Sequence, residues 1–198
     1  MVRGLKAFAA CSALILAFPG AAHAAEGLAC MGNSYDQERR SKIAAMSENF
    51  SMSDEEGTTS SEDLAEVAIE AADKCMAQEG WSEEALYYAG IYEISRLSEL
   101  AYRNSGRLTA DELSKLDEAL NRSERPALWN ALERAVEAGL KGEEAGMTSK
   151  EEFVMGSFVI SAGLGADEVA AEKVGELLGL MALVRYSKRE FEAQFTKE

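Results

Sequence analysis

An all-α fold, a single-domain bundle of about seven helices, is predicted by three features of this 198-residue sequence. Helix start signals recur along it, each a side-chain oxygen followed three residues later by a carboxylate or amide. Between these signals the apolar residues repeat at helical spacing, and no segment alternates apolar and polar residues as a strand does. The chain has two prolines, and the second, Pro126, stands where it can begin a helix rather than break one.

The N-terminal segment reads as a leader rather than as part of the bundle. Arg3 and Lys6 supply its positive start, residues 7–18 its apolar stretch, and Pro19-Gly20 its break. Ala22-His23-Ala24 places small residues at the two positions a signal peptidase reads, so cleavage is expected after Ala24. The apolar stretch is shorter than the roughly 20 residues a membrane span needs. A lipid anchor at Cys30 is disfavoured, because Gly27 stands where a branched aliphatic is usual and Glu26 interrupts the run. The predicted organisation is a signal peptide at 1–24, a tail with a first helix and a polar loop at 25–59, and a helical core at 60–198, with 25–198 forming one domain. The localisation expected from this is periplasmic or secreted, in a bacterial envelope. Two Asn-x-Ser triplets, at Asn49 and Asn121, would matter only in a eukaryotic secretory pathway.

The elements follow in order. Ser34 with Gln37 opens a first helix reaching to about Phe50, and residues 51–59 form a polar loop. Ser60 with Asp63 opens a second helix, which Gly80 stops. It places Leu64, Val67, Ala68, Ala71, Ala72 and Cys75 on one face and Glu66, Glu70 and Asp73 on the other. Ser82 caps a third helix, with Trp81 positioned to staple onto Leu86, and this helix ends near residues 104–106. Thr109 with Glu112 opens a fourth, carrying Leu113, Leu116 and Leu120 on one stripe. Ser123 and Pro126 start a fifth, with Leu128, Trp129, Leu132, Val136 and Leu140 inward, fading at Gly139. Ser149 with Glu152 opens a sixth. Beyond Gly163 and Gly165 a last long helix begins near Asp167. Residues 153–164 and 177–184 are apolar nearly all round, so each is expected to be enclosed by other helices. Ala171, Gly175, Gly179 and Ala182 form a ridge of small residues suited to close helix packing.

Cleavage would remove Arg3, Lys6, Cys11 and the only histidine, His23. The remaining 174 of 198 residues hold 18 basic and 35 acidic side chains, a net charge of −17 against −15 for the whole chain. Two cysteines remain, and in an oxidising compartment Cys30 and Cys75 are expected to pair.

Composition excludes several chemistries. A mature chain without histidine has no His-dependent triad, no His-ligated zinc and no imidazole general base. There is no Gly-rich phosphate loop and no Gly-x-Ser-x-Gly elbow. Residues 106–113 resemble the second half of a calcium-binding EF-hand loop, but Ala101, Arg103 and Ser105 stand where its first oxygen ligands belong. The Thr109–Glu112 pair is equally a helix cap. No cofactor and no metal is therefore expected. The acidic balance argues against nucleic acid and against anionic membrane, and it is compatible with another exported protein or a cationic ligand.

One carboxylate stands apart. On the third helix Leu86, Gly90, Leu97, Leu100 and Ala101 define the inward face, and Glu93 falls among them, with Tyr88, Tyr92, Arg96 and Glu99 opposite. A glutamate on an apolar face has a raised pKa unless a cation pairs with it, which makes Glu93 the candidate catalytic acid. The competing reading is a satisfied structural glutamate; Glu176, beside the glycine ridge, is a similar case. Trp81, Trp129, Tyr88 and Tyr92 are either core or part of a binding surface, and Arg185, Lys188 and Arg189 are expected to complement the dipole of the last helix. The leading expectation is a non-catalytic protein-interaction or scaffold domain. The alternatives are a carboxylate-dependent hydrolase or lyase, which needs a second polar group facing Glu93 in a cleft, and a carrier of small apolar ligands, which needs a cavity of roughly 300 Å³ or more.

Overall fold

The structure, a computed structural model of the chain, describes residues 19–48, 50–52, 59–144, 146–165 and 168–195. The predicted leader residues 1–18 and Asp167 lie outside them. The described residues form eight α-helices and no strand: α1 (Pro19–Ser34), α2 (Gln37–Glu48), α3 (Ser61–Glu79), α4 (Glu83–Asn104), α5 (Ala110–Asn121), α6 (Pro126–Leu140), α7 (Ser149–Ser161) and α8 (Glu168–Phe195). The helix beyond the expected seven is α1: it begins at Pro19, inside the predicted 1–24 leader and at the expected break, and continues into the stretch read from the sequence as an N-terminal tail.

Local chemistry sets the boundaries. Capping boxes open α3 at Ser60 with Asp63 and α5 at Thr109 with Glu112, and the Ser82 hydroxyl caps α4. Gly80 ends α3 in the left-handed conformation at φ 73°, the geometry that glycine adopts without a Cβ clash. Three starts differ from expectation. Ser34 is the last residue of α1, and it is the Asp36 carboxylate that accepts the Arg39 N–H, at 2.8 Å, to begin α2. Helix α7 opens one residue early, on Thr148 with Glu151. Helix α6 has no side-chain cap: Arg125 takes the left-handed conformation and Pro126 follows at the first helical position, so Ser123 plays no part. The Ser51 N–H donates to the Thr59 carbonyl at 3.0 Å, and residues 53–58 of the expected polar loop lie outside the described residues.

Helices α4 and α8 form the axis of the molecule and pack along one another more extensively than any other pair. Ala85, Ala89 and Ala101 of α4 keep its buried face low, and Val174, Leu177, Leu178 and Ala182 of α8 fill against the core. Helix α3 covers α4 with the six residues its periodicity assigns inward, all of them buried. Helix α1 lies on α3 and α8, α2 on α4, and α6 on α8. The approach of α1 to α8 requires Gly27, because a Cβ there would sit 3.3 Å from the rings of both Phe191 and Phe195. Trp81 turns to α8 and meets Phe191 edge-on at 5.1 Å.

Three expectations about burial fail. Leu100 of α4 and Leu140, the last residue of α6, are exposed. Helix α7 is not enclosed: among the described residues it packs chiefly against α6 and α8, leaving Phe153 at 74% and Ile160 at 64% exposure. Residues 177–184 of α8 are apolar nearly all round for the expected reason, since α8 has neighbours on several sides.

The predicted disulfide is present. Cys30 of α1 and Cys75 of α3 are bonded, with a sequence separation of 45. The bridge therefore fastens a helix, not a tail, to α3, and no lipid anchor can use the Cys30 sulfur while it is bonded. Among the described residues no helix is long and apolar enough to cross a membrane.

Candidate functional site

Glu93 is buried, at 1% exposure, as its helical angle requires. Three donors meet its carboxylate. The Arg96 guanidinium donates from Nε to Oε2 at 2.8 Å and from Nη2 to Oε1 at 2.6 Å, and the Tyr35 hydroxyl donates to Oε1 at 2.8 Å. The sequence places Arg96 on the opposite face. Its Cα does point elsewhere, but three residues along a helix is within reach of a long side chain curling back, so the cation pairs after all. The tyrosine comes from the corner between α1 and α2, which no local pattern could reveal. Burial first, and then the neighbouring Glu93 charge, holds the Tyr35 hydroxyl far above its ordinary pKa, so it is a donor at all ordinary pH values. The hydrogen bond to Glu93 also makes Arg96 still more basic.

This arrangement joins three elements through one carboxylate. A narrow cavity of 220 Å³ beside it is lined by Leu28, Ala29 and Gly32 of α1 with Tyr92, Glu93, Arg96 and Lys188. On the other side of Arg96 lies a cleft of 640 Å³ floored mostly by α2 and α4. Polar groups therefore do face Glu93, but they face it as hydrogen-bond donors that occupy the carboxylate.

Glu176 repeats the pattern at the other end of the α4–α8 axis. Arg107 donates to it from Nε and Nη2, both at 2.8 Å, and the Tyr102 hydroxyl lies 2.7 Å from Oε2 and 2.8 Å from the Lys173 carbonyl. Burial, followed by the hydrogen bond to Glu176, raises the Tyr102 pKa strongly. Both carboxylates singled out in the sequence are thus paired with a bidentate arginine and a buried tyrosine.

The most apolar cleft lies elsewhere. A groove of 630 Å³ runs between α6 and α8. Leu132, Ala135, Val136, Gly139 and Leu140 come from α6, and Gly175, Gly179, Leu180 and Leu183 from α8. Met147 of the α6–α7 connection, Met155 of α7 and Met52 close the sides, and Glu176 sits at the edge. The ridge of small residues expected to seat a packed helix therefore floors an open groove over part of its length. A Cβ built on Gly139, Gly175 or Gly179 meets no atom within 4 Å. The carrier alternative implies an apolar pocket between the last two helices; the groove instead lies between α6 and α8, with α7 as a side wall.

The remaining candidates are used within the fold. The Glu112 carboxylate of the EF-hand-like segment accepts from the Thr109 N–H and hydroxyl, both at 2.8 Å, and these bonds lower its pKa. Arg185, Lys188 and Arg189 do not stand in the last turn of α8; they line a polar cleft of 800 Å³ against α6. There Arg185 and Arg189 pair with Glu133, and the Arg185 guanidinium lies 4.5 Å above the Trp129 ring. Trp81 and Trp129 are buried, and Tyr88 and Tyr92 are half-buried. Comparison with protein-family models, curated proteins and solved structures finds no match.

Proposed function

We propose that the chain is an exported, non-catalytic interaction protein, acting in a bacterial periplasm or outside the cell, whose docking surface is the groove between α6 and α8. The observation that carries this reading is the groove itself: 630 Å³, apolar, and open rather than closed over among the described residues. A carrier of small ligands encloses most of its cargo, whereas an open trough suits a partner that remains largely outside. The methionines on its sides favour this use, because thioether side chains adapt to different apolar shapes. Export is supported by the leader-like segment at 1–24 and is compatible with the Cys30–Cys75 disulfide, a bond that persists in oxidising compartments.

Site-specific photo-crosslinking tests the docking surface. A photoreactive residue at Met155 in the groove wall, compared with one at the exposed Ser114 of α5, is irradiated in the protein's own host, and adducts are weighed by mass spectrometry. The expected result is a protein adduct at position 155 and none at 114. A small-molecule adduct at 155 would move the protein to the carrier class, and equal labelling at both positions would remove the groove from consideration. The same spectra test export: the expected chain begins at Ala25 and lacks two hydrogens for the disulfide.

A further inference from the structure

We infer that the occupant of this groove is a cationic amphipathic helix of another protein, an inference that rests on the docking surface just proposed. Three observations select it. Among the described residues the lining offers almost no hydrogen-bonding partner: Glu176 is its one charged side chain, and that carboxylate is already held by Arg107 and Tyr102. An extended peptide laid there would bury backbone N–H and C=O groups with nothing to pair them, and among the described residues there is no sheet edge to supply pairing. A helix satisfies its own backbone and presents only side chains. The dimensions agree. The groove runs from Leu132 to Leu140 on α6 and from Gly175 to Leu183 on α8, about 12 Å on either helix, and an i, i+4, i+7 set of anchors spans about 10 Å. The glycines at 139, 175 and 179 leave the floor without Cβ atoms, so bulky anchors can sink between the helices.

Charge selects the sign of the occupant's polar face. Glu143 and Glu144 stand in the connection between the lining residues Leu140 and Met147, and both are exposed. Glu152 is one turn before Met155 on α7, and Glu172 one turn before Gly175 and Glu176 on α8, again exposed. An apolar floor with carboxylates around it on a chain of net charge −15 complements a helix with lysine or arginine beside its apolar stripe. A second copy of this acidic chain would meet the same carboxylates, and like charges at an interface oppose its docking.

The test uses the disulfide-bonded chain from Ala25 and three probes: a Leu/Lys amphipathic peptide of about 18 residues, its Leu/Glu counterpart, and an uncharged apolar dye. Two variants accompany it. Gly179→Leu puts a side chain into the groove where a Cβ meets no atom within 4 Å, replaces a poor helix former by a good one and leaves the charge unchanged. Combined Glu→Gln changes at 143, 144, 152 and 172 remove the carboxylates around the groove. The expected result is saturable binding of the Leu/Lys peptide only, weakened at least about tenfold by Gly179→Leu and about tenfold by the four glutamine changes. Equal binding of both peptides overturns the cationic assignment and leaves the groove as a docking surface. Leu/Lys binding that Gly179→Leu does not touch is diffuse charge attraction and overturns the inference. Dye binding alone, lost in Gly179→Leu, makes the occupant a small apolar ligand; a dimer in sedimentation, lost in Gly179→Leu, makes it a second copy. Either result overturns the helix. If no probe binds and the chain stays monomeric, the docking surface fails together with the inference.

Discussion

Leaving a carboxylate at the exposure of Glu93 without a partner costs several kcal/mol, and the fold avoids this by bringing one donor from the same helix and one from the α1–α2 corner. The consequence is measurable. Glu93→Gln keeps the shape but removes the charge that Arg96 faces, and the midpoint of urea unfolding should fall by the equivalent of about 2–3 kcal/mol, the lower part of the range for buried pairs because Arg96 is 36% exposed. Tyr35→Phe, which leaves the ion pair whole, should cost about 1 kcal/mol. Neither change should weaken binding at the α6–α8 groove. Loss of a measured activity in Glu93→Gln at unchanged stability would restore the catalytic reading. At the surface, the hydrogen bond from Arg134, aided by Thr148, lowers the Glu151 pKa from 4.5 to about 2. A depressed carboxylate pKa gives stability that is complete above the unfolded value and lost as pH falls through the folded one, so this contribution should fade between pH 4.5 and about 2. Melting temperatures across that window should fall less steeply for Glu151→Gln than for the unaltered chain. The sequence made the burial of Glu93 legible, because helical angle depends only on position. It could not supply Arg96 or Tyr35, because side-chain reach and a contact 58 residues distant leave no periodic trace.

Among the elements, α1 shows what a disulfide adds to packing. Leu28 and Met31 are buried, Gly27 rests on two phenylalanine rings, and Cys30 is bonded to the core of α3. Closing a 45-residue loop is worth up to about 4 kcal/mol in the chain-entropy account. The Cys30→Ser/Cys75→Ser protein should therefore lose up to about that much in denaturant unfolding, with α1 the first helix to gain hydrogen exchange. An exchange pattern spread evenly over all helices would show that the bridge stabilises the whole bundle rather than attaching α1. The pairing itself was legible, since the predicted cleavage would leave two cysteines and one lies on an apolar stripe. Helix α1 was not: residues 25–33 carry no start signal, and the leader reading takes the residues before them. The same limit explains α7, where Thr148–Glu151 and Ser149–Glu152 are both acceptable capping boxes and sequence alone does not rank them.

Across the whole molecule, burial is set by the number of neighbours the topology supplies, which composition does not encode. Residues 153–164 and 177–184 look alike in sequence, yet α8 is the axis and α7 lies at the margin with Phe153 and Ile160 in water. That difference predicts a hierarchy of opening. Amides of α4 and the middle of α8 should exchange only through global unfolding, because their faces are covered on several sides. Helix α7 is secured chiefly by Phe158, Val159 and the Arg134–Glu151 pair, and should open in a smaller step, with exchange at least about a hundredfold faster than in α4. Mass spectrometry of deuterium uptake measures this directly. Because Met155 is one wall of the groove, anything bound there adds contacts to α7 and should slow its exchange while leaving α4 unchanged. Uniform slowing of both helices by the Leu/Lys peptide would place its binding elsewhere. Uptake in α7 as slow as in α4 without peptide would mean that the exposed wall is already part of the rigid core, and that the groove keeps its shape whether occupied or not.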